Sequence, residues 1–90
     1  MTPSSRDIEA FNVVAVELSF RRAAERLAID QSALSRRIKQ LEDSLGFQLI
    51  RRTTREVSLT AAGEIFHERT RLLNAEIDGA VHAARVAAEG

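Results

Sequence analysis

The stretch Gln31–Leu45, QSALSRRIKQLEDSL, decides how the rest of this chain is read. At a helical period its apolar residues Leu34, Ile38, Leu41 and Leu45 fall at i, i+4, i+7 and i+11, one narrow stripe that must face a core. The opposite side gathers Ser32, Ser35, Arg36 and Lys39, with Gln31 and Ala33 in the first turn. That outer face is short, polar and cationic, and it suits the major groove of DNA. There Gln can pair bidentately with adenine, Arg with guanine, and Ala or Ser can approach a thymine methyl. Taken alone, the pattern equally describes an amphipathic helix whose charges are merely solvated; the flanking segments choose between the two.

Immediately upstream, Ala28-Ile29-Asp30 reads as a tight connection, with Ile29 a buried plug and Asp30 the N-cap of the helix that follows. Before it, Ser19 can cap a short helix whose buried face is Phe20, Ala23, Ala24 and Leu27, at i, i+3, i+4 and i+7. The small pair Ala23-Ala24 lets another helix approach closely. Arg21 and Arg22 lie in its first turn, where the helix dipole disfavours cations. A phosphate contact explains that cost, so Ser19 and Arg22 join the DNA-facing candidates, although Arg22 could equally be a surface charge. Two short helices joined this tightly, the second polar and cationic outside, match a helix-turn-helix. Farther upstream, Met1 to Ser5 is a lead-in ending in a cap at Ser4 or Ser5, with Asp7 in the first turn. A scaffold helix then runs to about Leu18, its stripe formed by Ile8, Phe11, Ala15 and Leu18 with Val14 adjacent.

Downstream, Gly46 ends the central helix. FQLI (47–50) and VSL (57–59) read as two short strands around a turn of residues 51–56. That turn lacks Gly and Asn but carries three arginines, as a wing lying along the phosphate backbone or entering a narrow minor groove would; Arg52, Thr53 and Arg55 are its candidate contacts. Thr60 caps a final helix running to about Ala88, along which Phe66, Thr70, Leu73, Ile77, Ala80, Ala84 and Ala87 recur in steps of four and three. Such a seam predicts a partner helix, most simply its own copy, with Phe66, Leu73, Ile77, Ala80 and Ala84 as the dimer contacts. The early seam residues, with Ile65 and Leu72 beside them, could instead pack on the domain. His67 and His82 are expected on the helix surface or at the dimer contact. The chain thus divides into a head, residues 1–59, and a linker helix, residues 60–90.

Bulk properties fit this division. Ninety residues with 44% apolar content support one small core. Without cysteine there are no disulfides and no Cys-based zinc sites, and two separated histidines make no metal cluster. No metal, no cofactor and no catalytic residue is therefore expected: no His is paired with a Ser or Cys, no Gly-rich phosphate loop occurs, and no carboxylates cluster on a cleft. No signal peptide or membrane span is apparent, which places the chain in the cytoplasm. The formal net charge is zero, but it is unevenly spread. From Ser19 to Arg55, nine basic residues (Arg21, Arg22, Arg26, Arg36, Arg37, Lys39, Arg51, Arg52, Arg55) stand against four acidic ones (Glu25, Asp30, Glu42, Asp43), giving +5 there and −5 elsewhere. One block is a phosphate-binding surface and the remainder balances it.

With these residues in hand the chain resembles the DNA-binding domain of LysR-type transcriptional regulators. SFxxAAExL, QSALSRxIxxLExxLGxxL, RxxR and LTxAG occur together, in order and at the family's spacings, and the likeness runs into the long final helix. The resemblance implies a mainly α fold, a winged helix-turn-helix of three helices and a two-stranded wing plus a long C-terminal dimerisation helix. It implies that residues matching Gln31, Ser32, Ala33, Ser35 and Arg36 face bases or nearby phosphates, and that Arg52 and Arg55 belong to the wing. It further implies a homodimer on an interrupted inverted repeat of double-stranded DNA, in a bacterial, nucleoid-associated regulator. Family members carry a larger effector-binding domain after this helix, usually act as tetramers, respond to a small molecule and touch RNA polymerase; the effector-binding domain is absent from these residues, and the response to the small molecule belongs to it. Asp30, Ile50 and Thr54 depart from the family pattern, where a neutral cap, Phe and Gly are more usual. A competing reading is a winged-helix protein-interaction module whose basic face is incidental.

Overall fold

The computed structural model describes residues 3–53 and 56–90. They fold as α1 (Ser5–Glu17), α2 (Phe20–Leu27), α3 (Gln31–Leu45), β1 (Ile50–Arg52), β2 (Val57–Leu59) and α4 (Ala61–Glu89), with β1 and β2 antiparallel. Local chemistry sets most of these boundaries. Ser4 Oγ accepts from the Arg6 N–H, Ser19 Oγ from that of Arg22 and Thr60 Oγ1 from that of Gly63, each closing a first helical turn. Asp30 occupies the corresponding position before α3, but its side chain makes no capping bond. Only its carbonyl takes part, accepting from the Leu34 N–H at 3.0 Å.

The first three helices end in left-handed residues, Leu18 (φ 49°), Ala28 (φ 56°) and Gly46 (φ 86°). Glycine adopts this backbone freely, whereas at Leu18 and Ala28 a Cβ costs roughly 1–2 kcal/mol each. That cost permits very short reversals: only Leu18 and Ser19 separate α1 from α2. It also corrects the expected stripe of α1, because the helical period breaks at Leu18 and leaves its side chain 48% exposed. Ala10 joins Phe11, Val14 and Ala15 on the buried face instead.

The core lies where α1, α2 and α3 meet. Leu34, Ile38 and Leu41 are at most 1% exposed, so the α3 stripe faces inward as its period requires, and Leu45 and Ile29 are half-buried at its margin. Burying such side chains stabilises the fold by about 1.5–3 kcal/mol each.

The wing starts later than the sequence pattern implied. β1 is Ile50–Arg52 rather than residues 47–50, paired Ile50 with Leu59, Arg51 with Ser58 and Arg52 with Val57. The reason is that main-chain groups just before it are already engaged elsewhere. One carboxylate oxygen of Glu42 accepts from the N–H groups of Leu49 and Ile50, at 2.7 and 3.1 Å. The Leu49 carbonyl accepts from the Thr60 N–H at 3.0 Å, and the Gln48 carbonyl from the Thr60 hydroxyl at 2.8 Å. Arg51 and Arg52 are therefore strand residues rather than turn residues.

Glu42 thus ties α3 to the wing, and this gives a first prediction. Glu42→Ala should destabilise the fold by about 2 kcal/mol, because two part-buried N–H groups lose a charged acceptor. Urea denaturation checks it, and a loss under ~0.5 kcal/mol, the usual size of a surface substitution, would contradict the role given to this carboxylate.

α4 leaves this head along the long axis of a molecule measuring 54 × 26 × 19 Å. Of the two placements open to the early seam residues, Phe66 takes the domain: its ring centroid lies 5.7 Å from that of Phe11, and it packs, half-buried, on the core of its own chain. Ile65 and Leu72 do not share that contact and remain 63% and 52% exposed. His67 likewise turns to α1, its Nδ1 2.8 Å from Asn12 Oδ1 and its ring edge-on to Phe11. From Arg71 onward every residue is exposed. No helix among the described residues is long and apolar enough to cross a membrane.

Candidate nucleic-acid interface

With its apolar stripe fixed in the core, α3 turns Gln31, Ser32, Arg36 and Lys39 outward, with Ser35 and Ala33 half-buried beside them. Two hollows flank this face. One, between α3 and the wing, is lined by Ser35, Arg36, Lys39, Gln48, Arg51 and Arg52 among others. The other lies between the start of α2, the first turns of α3 and the sheet; it gathers Ser19, Arg22, Gln31, Ser35, Arg52 and Thr53. Residues far apart in sequence thus share one concave, cationic surface, and Ser35 and Arg52 belong to both of its halves. Ala33 borders a third hollow with Arg21, Asp30 and Gln31. Arg55 and Thr54 lie outside the described residues.

What each side chain is already doing separates readers from anchors. Gln31, Ser32, Ser35 and Arg36 make no side-chain hydrogen bond or ion pair among the described residues, so their donors and acceptors are uncommitted. Arg22 is different. Its Nη2 donates to the Glu17 carbonyl at 2.9 Å and its Nε stands 3.5 Å from the Glu17 carboxylate, so it closes the C-terminal end of α1. A guanidinium carries five N–H donors, and this one is still 54% exposed, so donors remain for an external anion. Glu17 also holds Arg26 at 2.9 Å. Lys39 lies 3.7 Å from Asp43, an exposed pair worth little in water.

Arg52 is held by an aromatic ring: its guanidinium carbon is 4.2 Å from the centroid of Phe20. Such stacking contributes about 0.5–1 kcal/mol at an exposed site and fixes the side chain beside the groove before any ligand arrives. Phe20, itself 8% exposed, therefore serves both core and surface. Its apolar spacing revealed only the first role. Glu42 was visible in sequence as one acidic residue in a basic block; no local signal showed that it braces the wing, since its partners lie seven and eight residues on.

The chemistry of this surface is recognition. Cations line both hollows, each with one carboxylate, Glu42 or Glu56, among them, a lining suited to phosphates, and uncommitted amide, hydroxyl and guanidinium groups crown the helix between them.

Comparison with known proteins agrees with that geometry. The sequence model of the family described as "Bacterial regulatory helix-turn-helix protein, lysR family" matches residues 5–64. The chain is 45% identical over 85 residues to the HTH-type transcriptional regulator AlsR of Bacillus subtilis (strain 168), covering 94% of this chain and 28% of that protein. It is 46% identical over 85 residues to the HTH-type transcriptional regulator BudR of Klebsiella aerogenes, covering 94% and 59%. Among solved structures, a BenM_DBD/catB site 1 DNA complex superposes with a TM-score of 0.91 at 38% identity, covering 94% of each chain. The chain therefore spans only part of the length of those curated relatives, and its fold is the winged helix-turn-helix with a long C-terminal helix.

Proposed function

This chain belongs to the lysR family of bacterial regulatory helix-turn-helix proteins, and from that premise we propose that it is a sequence-specific DNA-binding domain acting in transcriptional control. The observation that carries the proposal is the uncommitted polar face of α3, held outward by a buried stripe and flanked by two arginine-lined hollows. In this reading Gln31, Ser32, Ala33, Ser35 and Arg36 approach base edges in the major groove. Ser19, Arg22, Lys39, Arg52, Thr53 and Arg55 position the head on phosphates or in the adjacent minor groove.

Residues 1–59 form the head and residues 60–90 the linker helix. Pairing of two linker helices through Leu73, Ile77, Ala80 and Ala84 places two heads on an interrupted inverted repeat. Leu73 and Ile77 are 57% and 53% exposed, apolar area that a twin helix would cover. Phe66 contributes indirectly, by fixing the helix to its own head. The role is non-catalytic, in the bacterial cytoplasm on the nucleoid. The matched relatives extend well beyond the region they share with this chain; in this reading the response to a small-molecule effector belongs to an effector-binding domain outside these residues, the full-length regulator is a tetramer, and RNA polymerase is a further partner.

Selection of bound duplexes from a random pool tests the proposal. It should enrich an inverted repeat with fixed spacing; a pool that stays random would overturn it. On the enriched duplex, Arg36→Ala should reduce discrimination against a scrambled sequence by about tenfold or more, as loss of a base contact does. Arg22→Ala should weaken both duplexes alike, measured where circular dichroism shows the variant folded, since Arg22 also closes α1. Equal loss of discrimination in both variants would contradict this division of labour.

A further inference from the structure

The hydrogen bonds and ring contacts that attach α4 to the head fall in its first turns. Its first turn is docked on the segment before β1 by the Thr60 bonds to Gln48 and Leu49, and its next turns lie against α1. There a small polar cluster interrupts an otherwise apolar contact. Asn12 Oδ1 faces His67 Nδ1 at 2.8 Å and the Thr70 hydroxyl at 3.1 Å, while that hydroxyl also lies 2.7 Å from the Phe66 carbonyl. The amide nitrogen of Asn12 is buried and has no hydrogen-bond partner.

Burying an amide costs desolvation that its hydrogen bonds return only in part, and an apolar side chain at residue 12 would avoid that cost. What the polar cluster provides in exchange is geometry. An apolar contact such as Phe11 on Phe66 tolerates sliding and rotation, whereas the side-chain hydrogen bond between Asn12 and His67, with the single Thr70 hydroxyl proton beside it shared between Asn12 and the Phe66 carbonyl, is satisfied at a single setting of α4 on α1. Polar groups within apolar seams fix register in the same way, at some expense in stability.

That setting is amplified by length. From Arg71 to Glu89 every residue of the helix is exposed, and at 1.5 Å per residue this arm is about 28 Å long. A tilt of roughly 10° at the clamp therefore moves its far end by about 5 Å, more than the ~3.4 Å step between base pairs.

We propose that the Asn12–His67–Thr70 cluster determines which half-site spacing the dimer accepts, by fixing the angle at which α4 leaves the head. The three are positioning residues and touch no base. The inference rests on the DNA-binding reading above, and its test separates the two. The probe is the duplex enriched by the unmodified chain, rebuilt with its spacer lengthened or shortened by one and two base pairs. The unmodified chain should lose about tenfold in affinity for a one-base-pair change, comparable to a mismatched base pair. Asn12→Leu should be at least as stable as the unmodified chain on heating, yet bind all spacings within about threefold of one another, because the deformation that discriminated them is no longer resisted. Thr70→Ser, which keeps the hydroxyl, should retain the original profile. If Asn12→Leu and an Asn12→Ala companion keep the same peak and the same width, the proposal is overturned.

A second measurement needs no DNA. The chain has no cysteine, so spin labels at Glu9→Cys and Glu89→Cys, diluted into unlabelled chain, report the distance between α1 and the far end of α4. Asn12→Leu should broaden that distance distribution. An unchanged width would defeat the clamp even if DNA binding holds, and a broadened width would uphold it even if no duplex were enriched.

Discussion

Raising the salt concentration from about 50 to about 200 mM should weaken binding to the enriched duplex by three to five orders of magnitude, the loss expected for roughly 6–10 phosphate contacts. The range follows from the surface and not from the chain's total charge, which is zero. Arg36, Lys39, Arg51 and Arg52 border one hollow, Arg21 and Arg22 the other, and a dimer presents each twice. Several of these cations are already partnered: Arg22 with Glu17, Lys39 with Asp43, Arg21 with Glu25. Exposed pairs of this kind are weak enough for phosphate to displace, but each displacement offsets part of the gain. About three to five effective contacts per protomer is therefore the expected number, below the count of basic residues. A titration of affinity against salt gives it directly as the slope of log K on log salt. A nearly flat titration would rule out a phosphate-binding surface and favour the protein-interaction reading of the same fold.

Such a surface was legible because every determinant of α3 is local. Leu34, Ile38 and Leu41 announce their face by spacing, Gly46 announces the end, and Ser19 and Thr60 announce neighbouring starts. The segregation of charge could be counted. What could not be read depends on partners distant in the chain. His67 meets Asn12 across 55 positions, and neither residue type at that separation leaves a periodic trace. The start of β1 is set by a carboxylate on α3 and a hydroxyl on the cap of α4, so the β-favouring composition of residues 47–50 was overruled by tertiary hydrogen bonds. The seam of α4 left a choice open in a different way. A period does not say which turns are already covered, and Phe66 takes the placement on its own domain, against Phe11, that was open to the early seam residues. Leu18 failed for a third reason: a left-handed cap breaks the periodicity that placed it on the stripe.

Gly63 turns the same distinction between local and tertiary signals into a prediction of sign. By intrinsic propensity, alanine is better than glycine inside a helix by about 1 kcal/mol, so helix preference alone makes Gly63→Ala stabilising. Gly63 is nevertheless the one buried residue of α4, and a Cβ built on it runs into the Leu49 carbonyl oxygen, which is backbone and already accepts from the Thr60 N–H. Neither can yield without opening the junction of α4, the wing and, through Glu42, α3. The clash should outweigh propensity, for a net loss of about 2–3 kcal/mol. At some 4–8 °C per kcal/mol in a domain of this size, the melting temperature should fall by roughly 10–20 °C. Gly79 supplies the control: it lies in the same helix with nothing within 4 Å of the added Cβ, so there propensity acts unopposed. Gly79→Ala should raise stability by about 0.5–1 kcal/mol. Thermal melts of both variants at matched protein concentration decide the matter. Shifts of the same sign would mean that α4 does not approach Leu49 this closely, and the anchored helix on which the spacing argument depends would lose its first point of attachment.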